Sequence, residues 1–117
     1  MKTLEKRYMR TIVNTIVSRL IHTTSMAAIN SWHITGMNAM QVVKEVAGKD
    51  IAMAALVLQV SGSLYKGNVI VAYNDSVGRC SIYCEREGIS EECSCDVPFD
   101  ELGEVLDTII DTGIMCE

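Results

Sequence analysis

The sequence predicts a single α+β domain, an antiparallel three- to four-stranded β-meander covered on one face by N-terminal and C-terminal helices. Three observations carry this expectation. Apolar doublets recur every four residues near the N-terminus, residues 56–64 and 79–85 alternate on either side of the apolar run 69–73 and its flanking turn residues, and residues 101–112 place apolar side chains at i, i+3, i+4, i+7 and i+8. A chain of 117 residues has room for one hydrophobic core. Its 49% apolar and 21% charged residues match ordinary globular composition, which argues against disorder and for one domain over residues 1–117.

The first helix is expected over about residues 3–21, where Ile12-Val13, Ile16-Val17 and Leu20-Ile21 follow Leu4 and Tyr8. These doublets cover about half of a helical circumference, with Thr11, Asn14, Thr15 and Ser18 opposite, while Lys2, Lys6 and Arg10 form a basic stripe at its start. So broad an apolar face predicts more than one neighbour, and Ile12, Val13, Ile16, Val17 and Leu20 are the candidate interface residues. Residues 22–36 mix helix-compatible Ala27, Ala28, Ile29 and Trp32 with interruptions at Thr23-Thr24 and Ile34-Thr35-Gly36. A second helix is expected over 38–47, because Asn38 stands three residues before Gln41 in capping-box spacing, Met40, Val43 and Ala47 give an apolar side, and Gly48 suits a helix end.

Strands are expected over about 56–65, 69–74, 79–85 and 93–99, with Lys66-Gly67-Asn68 and Asn74-Asp75-Ser76-Val77-Gly78 as turns. The meander buries one face and leaves the other wet. The last helix, over about 101–112, follows a cap at Asp100 and buries Leu102, Val105, Leu106, Ile109 and Ile110, leaving Asp100, Glu104, Asp107 and Asp111 in solvent. The run Lys66-Gly67-Asn68-Val69-Ile70-Val71-Ala72-Tyr73-Asn74, with a Leu-rich strand before it and Phe99-Asp100-Glu101-Leu102 ahead of an amphipathic helix, resembles a family of small bacterial α+β proteins of unknown function. The resemblance spans residues 56–112 and implies no particular activity.

Charge divides the chain. Residues 1–84 hold nine Lys/Arg against four Asp/Glu, and residues 85–117 hold one against eleven. The split predicts an electrostatic match between the two ends, and the acidic third argues against nucleic-acid binding in spite of the basic stripe. Asn14, Arg19 and His22 interrupt what a secretory h-region would keep apolar. The longest apolar run, Ile51 to Leu58, is far below the ~20 residues of a membrane span. An odd total of five cysteines suits a reducing compartment, so a cytoplasmic location is expected with no membrane partner.

Cys80, Cys84, Cys93 and Cys95 are the notable side-chain cluster, with Cys116 near the end. Cys80 and Cys84 share a strand face with Ile82. Pairing that sets Cys84 against Cys93 and Ile82 against Cys95 would project all four thiols from one side. The simplest reading makes them small core hydrophobes with no cofactor. The alternatives are zinc held by Cys80, Cys84, Cys93 and Cys95, although neither pair has C-x₂-C spacing, and a disulfide with Cys84 and Cys93 as first choice. His22 and His33 lie far from any cysteine in sequence, so no Cys-His nucleophile is expected, and no glycine cluster has phosphate-cradling spacing. Met26, Met37, Met40 and Met53 are expected to fill core gaps. The function predicted on these grounds is a non-enzymatic protein-protein interaction module able to self-associate through its N-terminal helix or a sheet edge. A small metal- or redox-responsive protein using the clustered cysteines is the alternative.

Overall fold

The computed structural model describes residues 4–112, so the first helix's expected start at Thr3, the basic-stripe residue Lys2 and Cys116 lie outside it. Two helices come first, α1 (Lys6–Thr23) and α2 (Met26–Ser31). Five strands follow: β1 (Gly36–Val46), β2 (Lys49–Ser61), β3 (Lys66–Asn74), β4 (Arg79–Arg86) and β5 (Ile89–Val97). A 3₁₀ turn at Phe99–Glu101 leads into α3 (Leu102–Asp107), whose last turn widens to a π-type turn over Thr108–Thr112. The sheet is antiparallel throughout, and its spatial order is its chain order. No helix among the described residues is long and apolar enough to cross a membrane.

The α+β class and the meander agree with the sequence, but the strand count is five rather than three or four. The expected helix over 38–47 is β1. Met37, Ala39, Gln41 and Val43 project toward α1, and Asn38, Met40, Val42 and Lys44 project the other way, a period of two. Gly48 does not end a helix. With Ala47 it forms a two-residue hairpin loop, since Val46 pairs with Lys49 and both loop residues have positive φ, 53° and 78°. The same device joins β4 to β5, where Arg86 pairs with Ile89 across Glu87 (φ 54°) and Gly88 (φ 80°). Loops of this kind match the twist of the flanking strands but require left-handed backbone at both positions, which Asn or Asp usually supplies ahead of Gly. Here Ala and Glu stand in that place. β2 accordingly starts at Lys49, β5 starts at Ile89, and Lys66-Gly67-Asn68 lies within β3 rather than in a turn.

The main core lies between the sheet and the helices. Ile16 and Leu20 of α1, Trp32 after α2, and Leu102, Leu106 and Ile110 at the C-terminal end cover Leu56, Leu58, Val69, Val71, Cys80 and Ile82. Gly103 lets α3 meet the end of α1, since a Cβ there would collide with the Thr24 side chain. The Tyr73 and Phe99 rings stack at 5.3 Å, and the Arg19 guanidinium lies over Phe99 at 5.8 Å.

The second face is not wet. Met53, Ala55, Val57, Ile70 and Ala72 are buried there, flanked by Val42, Ile51 and Tyr83, and this cluster is made of strand residues alone. Lys44 in β1 and Glu92 in β5 belong to opposite edges, which a flat sheet would hold ~19 Å apart at four inter-strand spacings. Their charged groups are 3.0 Å apart. The β1–β2 hairpin therefore curls over its own sheet and buries the face that no helix reaches. Ala55 pairs with Ala72, and Ala72 with Ser81, so a row of small side chains runs under the fold and admits a close approach.

The hairpin loop predicts a stabilising substitution. Ala47→Asn, which tolerates the left-handed backbone, should raise stability by about 1 kcal/mol in denaturant unfolding with an unchanged far-UV spectrum. Equal or lower stability would contradict a left-handed Ala47.

Candidate functional site

The four described cysteines do not form the one-sided set expected of them. Two bulges shift β5 against β4, between Cys80 and Ile82 and between Ile82 and Tyr83. Ile82 consequently pairs with Ser94 rather than Cys95, and Cys84 with Glu91 rather than Cys93. Bulges add a residue to one strand and turn its side chains. Cys80 sits in the dry core, where burial pushes its thiol up to about 12. Cys84 is half-buried at the core's rim, and Cys93 and Cys95 are exposed. The expectation that all four are core residues therefore holds for Cys80 alone. Among the described residues, no group of three or more His, Cys, Asp or Glu side chains is placed to hold a metal ion.

One pair is brought together. Cys93 is the extra residue between the Ile82–Ser94 and Tyr83–Glu92 pairs, and its Sγ lies 2.6 Å from Cys84 Sγ. Burial, then the neighbouring Cys93, raises the Cys84 thiol to about 12. Cys84 also borders a cavity of about 370 Å³ shared with Tyr65, Arg86, Glu87, Ile89 and Glu91. The Arg86 guanidinium lies 5.1 Å over the Tyr65 ring, and the Tyr65 hydroxyl sits between the carbonyls of Asn68 (3.0 Å) and Glu85 (2.9 Å).

The interface residues predicted on α1 are placed against the sheet. Ile16 and Leu20 are buried, and Ile12, Val13 and Val17 pack against the same core. The exposed apolar surface lies beside them instead, at Ile21 (55% exposed), Met26 (60%) and Met37 (55%), and β1 exposes Val43 on this face and Met40 and Val46 on the other. Of the four methionines expected as core filler, Met53 alone is buried. An apolar groove of about 260 Å³ opens in this patch, bounded by Val17, Leu20 and Ile21, by Trp32 and Ile34, and by Met37. The signal available in sequence was the density of methionine and valine over residues 37–46, which helical spacing had absorbed.

The acidic residues of the C-terminal helix divide. Asp100 and Glu104 are exposed as expected, but Asp107 accepts a 2.9 Å hydrogen bond from the buried Trp32 indole. Asp111 accepts from the Ser31 hydroxyl and, at 2.9 Å, from the backbone N–H of Ser63. These carboxylates tie α2 and the β2–β3 loop to the chain's end, and the Leu64 and Tyr65 amides add bonds to the Ile110 carbonyl. The expected electrostatic match between the basic and acidic parts of the chain is seen at Lys44 and Glu92, whereas Asp107 and Asp111 are met by neutral donors. His22 contacts its own helix, through the Ser18 carbonyl, and His33 follows Trp32 in left-handed backbone.

Asp107→Ala should cost about 1–3 kcal/mol by stranding the buried indole N–H, measured by thermal unfolding, with the emission of the single tryptophan shifting to the red in the folded state. An unchanged emission maximum and melting temperature would show that the bond does not hold Trp32. No protein-family model matches the sequence, and no curated protein or solved structure is significantly similar to it.

Proposed function

We propose that this protein is a cytoplasmic, non-enzymatic interaction module that self-associates through the outer edge of β1. The reading rests on the contrast between the two edges of the sheet. An edge strand presents unpaired backbone donors and acceptors, and proteins that remain monomeric blunt it with charges, proline or bulges. β5 is blunted in this way, with Glu91 and Asp96 and two register shifts. β1 is eleven residues long without proline or bulge, and it carries exposed Met37, Met40, Val43 and Val46. Its one cation, Lys44, is paired with Glu92 of the same chain.

A second copy is the occupant that suits this edge. Antiparallel pairing of two β1 strands about a twofold axis at their midpoint sets Lys44 opposite Asn38 and Glu45 opposite Met37, so like charges do not meet. The exposed methionines add side chains that adapt to a facing surface. The adjoining groove by Trp32 extends the contact beyond the strand. The interface residues are then β1 and its flank at Ile21 and Met26, next to the α1 positions favoured from sequence.

Sedimentation velocity from low to high micromolar concentration should show a dimer that Met40→Lys with Val43→Lys converts to a monomer. The doubly substituted chain should keep its circular dichroism spectrum, because exposed substitutions generally change stability by only about 0.5 kcal/mol. A monomer throughout for the unmodified chain, or dimers unaffected by the two lysines, would overturn the reading.

A further inference from the structure

We propose that Cys84 and Cys93 are a dithiol site that reacts with a low-molecular-weight disulfide of the glutathione class to form an intramolecular disulfide across β4 and β5. Three observations carry this. The two sulfurs, at 2.6 Å, are within about 0.6 Å of covalent length. The pair exists because a bulge adds Cys93 to β5 between two ladder pairs, so the contact is a product of local backbone geometry. The two thiols also differ in access, Cys93 being exposed and Cys84 half-buried beside a cavity of about 370 Å³.

The difference in access orders the chemistry. The exposed Cys93 thiolate attacks one sulfur of the small disulfide, whose S–S bond breaks. One small thiolate leaves and takes up the proton that Cys93 gave to solvent. Cys84, held protonated by its surroundings, is the resolving group. It surrenders its proton as its sulfur attacks Cys93 Sγ, the mixed disulfide breaks, and the second small thiolate departs protonated. One small disulfide is reduced to two thiols, and the protein dithiol is oxidised to a disulfide. Cys80 is sealed in the core, so it does not compete for the resolving step.

The test exposes the folded 117-residue chain to excess oxidised glutathione, traps free thiols with iodoacetamide and maps tryptic peptides without reduction. Cleavage after Arg79 and Arg86 separates Cys80 and Cys84 from Cys93, Cys95 and Cys116, and fragmentation identifies the linked residues. The expected product is a Cys84–Cys93 link, two hydrogens lighter than the reduced pair, with a melting temperature several degrees higher. Cys84→Ser should stop at a glutathione adduct on Cys93, and Cys93→Ser should give neither adduct nor link at Cys84. Full alkylation of Cys84 and Cys93 after oxidation, or a link through Cys80, Cys95 or a second chain instead, would overturn the proposal. The unsubstituted chain decides the matter even if a variant fails to fold.

Discussion

A sheet with two apolar faces and helices enough for one of them is the constraint on which this fold depends. α1 and the C-terminal helix cover Leu56, Leu58, Val71 and Ile82, and they leave Met53, Val57 and Ile70 on the far side to find their own shelter. The β1–β2 hairpin supplies it by curling over the sheet. The driving force is removal of apolar area from water, worth roughly 25 cal/mol per Å². The Lys44–Glu92 pair that marks the closure is partly solvated on both sides, and such pairs contribute at most about 1 kcal/mol. It reports the curl rather than causing it.

That curl has consequences at both edges. Bringing β1 across the sheet uses Lys44 internally and leaves exposed methionine and valine side chains on both faces of the outer strand. At the other edge, β5 departs from regular pairing in two places, with Asp96 in left-handed backbone and Cys93 displaced toward Cys84. The two edges thus carry different chemistry, an apolar one suited to strand addition and an acidic, bulged one that holds a thiol pair. Neither lies in the core that the helices enclose.

The parts of the fold legible in the sequence were those with strong and uninterrupted periodicity. Ile12 to Leu20, Leu102 to Ile110, the apolar run of β3 and the alternating residues of β4 disclosed their elements directly. What escaped was controlled by turn chemistry. Ala47-Gly48 and Glu87-Gly88 are hairpin loops whose first residue is not the usual Asn or Asp, so Gly48 read as a helix terminus and residues 86–92 as a polar connection. With the first loop missed, Met40 and Val43 fitted a helical face equally well. The cysteine pair was partly legible, because Cys84 and Cys93 were the favoured partners, but the register that suggested them is not the register that joins them. A bulge has no compositional signature here. The bonds of Asp107 to Trp32 and of Asp111 to Ser31 were invisible for another reason, since a carboxylate on the polar side of an amphipathic helix reads as solvated until the tertiary neighbour is known.

The folding of the hairpin over its sheet is tested most directly by zero-length carbodiimide coupling of the dilute protein, followed by peptide mapping. The account predicts an isopeptide bond between Lys44 and Glu92 within one chain, since their charged groups are 3.0 Å apart. A flat sheet open to water on its second face would hold the two strands ~19 Å apart, farther than the Lys44 and Glu92 side chains together can bridge. Lys44 coupled to sequence neighbours such as Asp50 and never to Glu92 would contradict it.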